Sequence, residues 1–97
     1  MVAPAVVWRS ATFSEGDIVL VNGNHDRAVK VIACASVDLR LYLFVQELVC
    51  VAKVNDWAWE YNIVRPLAQI IELRGDLKVK PTSGWTVQQN GHILVLL

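Results

Sequence analysis

Two long apolar runs dominate the hydrophobic pattern of the chain. They fill Ala28–Ala52, AVKVIACASVDLRLYLFVQELVCVA, and meet at the short polar break Asp38-Leu39-Arg40. Both are rich in β-branched and aromatic residues, and neither carries a polar stripe at helical spacing. They are therefore predicted to be adjacent antiparallel strands at the centre of a sheet. Hydrophobicity this continuous predicts burial on both faces for part of their length. If the runs are the arms of one hairpin, the residue opposite Cys34 lies near Tyr42–Phe44, well short of Cys50.

The flanking pattern adds shorter elements. Ala3–Trp8, APAVVW, reads as a short edge strand carrying Pro4, with the first few residues loose. Phe13–Asp17 is predicted to be a turn leading into the strand Ile18–Val21, and Asn22–Asp26 a loop in which Asn-Gly favours a type I′ hairpin turn. Lys53–Asp56 interrupts the pattern. Trp57–Val64 then alternates, with Trp57, Trp59, Tyr61 and Ile63 on one face and Ala58, Glu60, Asn62 and Val64 on the other. Arg65-Pro66 is expected to end that strand or bend the chain. Leu67–Leu73 reads as a strand or a single helical turn, Arg74-Gly75-Asp76 as a turn, Leu77–Lys80 as an alternating apolar and basic stretch, and Pro81–Gly84 as a loop. The last prediction is a hairpin, Trp85–Gln89 against His92–Leu96, closed on Asn90-Gly91. Seven or so short antiparallel strands in one domain spanning residues 1–97 predict an all-β fold, a closed or partly open barrel or a compact two-sheet sandwich.

Composition supports a packed core. Apolar residues make up 55% of the 97 residues, enough to fold without disulfides or a metal. Nine basic residues balance nine acidic ones. Net neutrality excludes a generally basic nucleic-acid or membrane binder while leaving room for a local basic patch, and it favours self-association. Cys34 and Cys50 sit inside the apolar runs and read as buried thiols rather than as a disulfide. With only His25 and His92 beside them, at no ligand spacing, no metal site or cofactor is expected. Asp38, Arg40 and Glu47 interrupt the only stretch long enough to span a bilayer, and no signal-peptide pattern opens the chain, so an intracellular protein without a membrane partner is expected.

Candidate chemistry is sparse. Asp17, His25 and Asp26 fall in predicted turns without a nucleophile at any recognised spacing, and the glycines stand singly, so no catalytic residue is assigned and the chain is not expected to be an enzyme. Arg74-Gly75-Asp76 matches an integrin-binding tripeptide but has the composition of a turn. The aromatic set carries more information. Trp57, Trp59 and Tyr61 share one face of one strand, and that face is either the core or a partly exposed platform beside Asp56 and Glu60 for a cationic ligand or peptide. The same rings beside Lys53 and Arg65 could instead stack on nucleobases.

Phe13–Val21, FSEGDIVLV, with Tyr42–Glu47, YLFVQE, and Trp59–Val64, WEYNIV, resembles in its order of features the bromo-adjacent-homology domains and the wider set of SH3-like barrels of chromatin proteins. From Gly16 onward the layout is also similar to β-rich domains of transposon-derived proteins. The resemblance implies a small SH3-like barrel and makes Trp57, Trp59 and Tyr61 candidate cage residues. Three functions follow as expectations. The first is a non-catalytic protein or peptide interaction module, self-associating into a homo-oligomer, through the aromatic strand or an exposed sheet edge. The second is nucleic-acid binding through Lys53, Arg65, Lys78 and Lys80, with Arg27 and Lys30 on the same face. The third is a small-molecule site in the barrel mouth.

Overall fold

The computed structural model describes residues 2–22, 24–75 and 77–96, with the backbone alone described at 24–26 and 63–68. In chain order the strands are β1 (Val2–Ala3), β2 (Ala5–Trp8), β3 (Ala11–Ser14), β4 (Ile18–Val21), β5 (Asn24–Val37), β6 (Arg40–Asn55), β7 (Ala58–Leu73), β8 (Val79–Pro81), β9 (Gly84–Val87) and β10 (Ile93–Leu96). The fold is all-β, and no helix occurs among the described residues. Seven strands build one curled antiparallel half-barrel in the order β8-β4-β5-β6-β7-β10-β9. β1 adds to β5, and β2 and β3 form a separate hairpin.

The central hairpin is as its sequence requires. β5 and β6 turn on Asp38-Leu39, both at positive φ (49° and 65°), and Cys34 lies opposite Leu43. Two positive φ values give the type I′ geometry whose twist matches the flanking strands. Arg9-Ser10, with φ of 52° and 67°, does the same between β2 and β3.

The sheet buries both faces, and β4 shows how. All four of its residues are buried. Ile18 and Leu20 point into the curl, where they meet Ala28, Leu48, Tyr61, Ile93 and Val95, flanked by Cys50, Trp59 and Trp85. Val19 and Val21 point the other way, to a second core with Val29, Val31, Cys34, Leu43, Val45 and Leu73, which the β2–β3 hairpin covers with Val6 and Phe13. Strand alternation alone would keep one residue parity on one face along a whole strand. Bulges break that rule. In β5 the register shifts between Val31 and Ala33, so Val29, Val31 and then Cys34 reach the same core. In β7, Ile63 pairs with Leu48 but Ala68 pairs with Gln46. That odd surplus on β7 exchanges its faces, which is why Tyr61 enters the curl while Ile71 and Leu73 face the opposite core.

The two ends of the sheet meet through Thr82-Ser83. The Thr82 and Ser83 amides donate to the carbonyls of Ile18 (3.2 Å) and Leu96 (2.8 Å). Trp85 Nε1 donates to the Gly16 carbonyl at 2.8 Å, and Lys30 Nζ lies 4.7 Å from the Trp85 ring centre. Gly16 at φ +91° lets the chain double back there, and the Asp17 carboxylate accepts from the Ser14 amide at 2.9 Å.

Several boundaries differ from those predicted. Phe13 belongs to β3 and is fully buried, rather than opening a turn. Residues 24–26 extend β5, the turn is at Asn22 (φ 55°), and Gly23 of the predicted Asn-Gly turn lies outside the described residues. Lys53–Asn55 continues β6, and Trp57 sits in the turn instead of in the strand. Arg65-Pro66 ends nothing: β7 runs through it, and Pro66 falls between Ile63 and Ala68, where the register slips, the kind of irregularity at which a strand tolerates proline. The terminal hairpin closes on a longer loop. Gly91 donates to Gln88 and Gln88 to His92, with positive φ at Gly91 (83°) but not at Asn90, a type I turn followed by a glycine bulge. The three central strands are long, at 14, 16 and 16 residues, where short ones were expected. Val2 and Ala3 are tied down opposite Ala35 and Cys34.

Candidate functional site

The β6–β7 hairpin reaches beyond the rest of the sheet. β5 and β6 stay paired only as far as Val29 opposite Glu47, and from Leu48 to Asn55 β6 pairs with β7 alone. Among the described residues no strand takes up its other edge. Val51 and Val54 also lack a partner residue in β7, because the register shifts at each of them. Val49, Val51 and Val54 are 45%, 48% and 55% exposed. Only one residue of Leu48–Asn55, Lys53, is charged, and its Nζ is held 3.1 Å from Asp56. An edge of this kind presents backbone donors and acceptors together with apolar side chains.

The aromatic residues singled out in the sequence divide among three environments. Trp57 caps the hairpin turn at 64% exposure, its amide donating to Asn55 Oδ1 at 2.9 Å. Trp59 is half-buried at the margin of the core inside the curl, with Lys53 Nζ 5.7 Å from its ring centre. Tyr61 is wholly buried in that core. The three rings therefore do not form one exposed platform. Both neighbouring carboxylates are engaged as well: Asp56 with Lys53, and Glu60, whose Oε2 accepts from His92 Nδ1 at 2.5 Å. The inside of the curl, the mouth of the expected barrel, is filled by Tyr61, Leu48, Ile18, Ile93 and Val95.

The basic residues also separate. Lys53 belongs to the hairpin tip and Lys30 to Trp85. Lys78 and Lys80 line a surface cleft of about 340 Å³ together with Trp8, Arg9, Asn22 and Leu77. Arg27 is exposed on β5, and the side chain of Arg65 lies outside those described. Sequence inspection passed over Arg9 and the Leu48–Asn55 edge. The first stands between two predicted elements with no Asn, Asp or Gly to mark a type I′ turn, and the second depends on where two strands part, which periodicity does not encode.

No disulfide joins Cys34 and Cys50. Burial, with Asp17 nearby, pushes the Cys34 thiol pKa up, and its Sγ donates to the Phe13 carbonyl at 3.4 Å. Asp17 itself organises the turn into β4. The side chains of His25 and Asp26 lie outside those described, as does Asp76, while Gly75 turns at φ +60°. Among the described residues no group of three or more His, Cys, Asp or Glu is placed to hold a metal, and no helix is long and apolar enough to cross a membrane. No protein-family model matches the chain, and neither a curated protein nor a solved structure matches it.

Proposed function

We propose that this chain is a non-catalytic interaction module, of the kind its resemblance to SH3-like modules suggests, that joins another polypeptide by strand addition along the open edge of β6, the partner being a second copy of the chain. The observation that carries this is the run Leu48–Asn55, which among the described residues has β7 as its one strand neighbour and exposes Val49, Val51 and Val54. A second strand laid along that edge satisfies its backbone groups and removes the valines from water. Native proteins usually guard such edges with charge, and here the single charge is neutralised internally by Asp56. With a net charge of zero, two copies approach without repulsion.

Sedimentation velocity over a range of concentrations tests the reading. The wild type should shift from monomer to dimer, and Val51→Lys with Val54→Lys should remain monomeric with an unchanged far-ultraviolet spectrum. An interface of one strand pair is small, so a dissociation constant in the micromolar range is expected. A wild type that stays monomeric up to about 500 µM, a concentration above that range, removes the proposal. Nucleic-acid binding over an extended face is not favoured, since the basic residues expected to act together sit in separate settings.

A further inference from the structure

In the cleft beside β8 three cations collect around apolar surface. Its lining comes from three parts of the chain: Trp8, Arg9 and Ala11 of the β2–β3 hairpin, Asn22 after β4, and Leu77–Lys80 entering β8. Trp8, Ala11, Leu77 and Val79 form its apolar floor, the outer layer of the core beneath the hairpin. Arg9, Lys78 and Lys80 form its rim. Among the described residues no carboxylate lines the cleft, and none of these three cations takes part in an ion pair, in a protein that is neutral as a whole.

The rim is also partly fixed in place. The Arg9 guanidinium stacks on Trp8, 4.5 Å from the ring centre, and donates to the Gly75 carbonyl. Asn22 is pinned at both ends of its polar reach: its amide donates to the Lys78 carbonyl at 2.6 Å and its Oδ1 accepts from the Lys78 amide at 3.2 Å. That leaves the Asn22 Nδ2 donor directed to no described partner. At about 340 Å³ the cleft is at the small end of ligand sites. A ligand that fits has a flat apolar body for the floor, an edge that accepts a hydrogen bond, and concentrated negative charge for the rim.

We propose that this cleft binds one nucleotide unit, with the base on the Trp8–Leu77 floor and the phosphate between Lys78, Lys80 and Arg9. The same chemistry is offered by a free mononucleotide and by one residue of a single strand. The site is separate from the β6 edge and does not depend on it.

Isothermal titration of the full chain with a nucleoside monophosphate, and in a second arm with a short single-stranded oligothymidylate, tests the assignment. Saturable binding is expected in one arm or both, weakening as salt is raised. Loss of one charge-assisted contact should cost about tenfold in affinity, so Lys78→Gln with Lys80→Gln should reduce binding by two such steps. Lys78→Arg with Lys80→Arg should keep most of it, and Arg40→Gln, on an exposed position at the start of β6, should leave it unchanged. Binding of the monophosphate assigns a free nucleotide, and binding of the oligonucleotide alone assigns a single strand. Absence of saturable binding in both arms, or binding that survives the double glutamine substitution, overturns the proposal.

Discussion

Phe13 and Trp57 are both large aromatic residues next to turns, and the structure gives them opposite weight. Phe13 is fully buried under the β2–β3 hairpin, whereas Trp57 stands in solvent at the end of β6–β7. Phe13→Ala should destabilise by about 3–5 kcal/mol in urea unfolding, from lost transfer energy plus the cavity left behind. Trp57→Ala should fall within about 0.5 kcal/mol of the wild type and remove most of the iodide-quenchable tryptophan emission. Cys34 and Cys50 separate in the same way. In the native protein a thiol reagent should label the half-buried Cys50 first, with Cys34 reacting only on unfolding. Because the Cys34 pKa is raised above the ordinary 9.0, the unfolded chain releases that proton at a pH where the native protein still holds it. Stability should therefore fall as pH rises above about 9, and Cys34→Ala should lose that part of the slope.

At the scale of elements, turns and bulges do the work that alternation cannot. Asp38-Leu39 must place two non-glycine residues at positive φ, and Leu39 is wholly exposed, so its side chain gives nothing back for the strain. Leu39→Gly should raise stability by about 0.5–1 kcal/mol in thermal or urea unfolding, the left-handed penalty outweighing the added chain entropy. The central hairpin, its burial on both faces over part of its length and the strand at β4 were legible because their residues agree with one another in β-preference and hydrophobicity. The β2–β3 hairpin was hidden because Arg9-Ser10 has none of the usual type I′ residues. The exchange of faces in β7 was hidden too, since Trp57–Val64 alternates regularly and nothing in it announces the register slip opposite Glu47.

For the whole molecule, the consequential event is the parting of β5 and β6 after Val29 and Glu47. The distal half of the β6–β7 hairpin then carries β10 and β9 round to meet β8, closing the curl on Ile18, Tyr61 and Val95 while no described strand takes up the other edge of Leu48–Asn55. Unfolding should follow this organisation. The edge and tip of that hairpin should exchange amide protons fastest, and β4 with the paired stretch of β5 slowest, in native-state hydrogen exchange. Uniform protection across β6 at low protein concentration would contradict the open edge.

The sequence by itself determined the class of the protein, because β-branched and aromatic runs separated by turn residues leave the backbone few alternatives, and neutral charge with 55% apolar residues sets a packed core without a strong field. Tertiary structure alone decided which aromatic rings are buried, where the cations collect and which strand edge stays open. Those outcomes rest on register, and register comes from long-range pairing that displaces whole strands by one or a few residues, a choice to which local hydrophobic periodicity is blind.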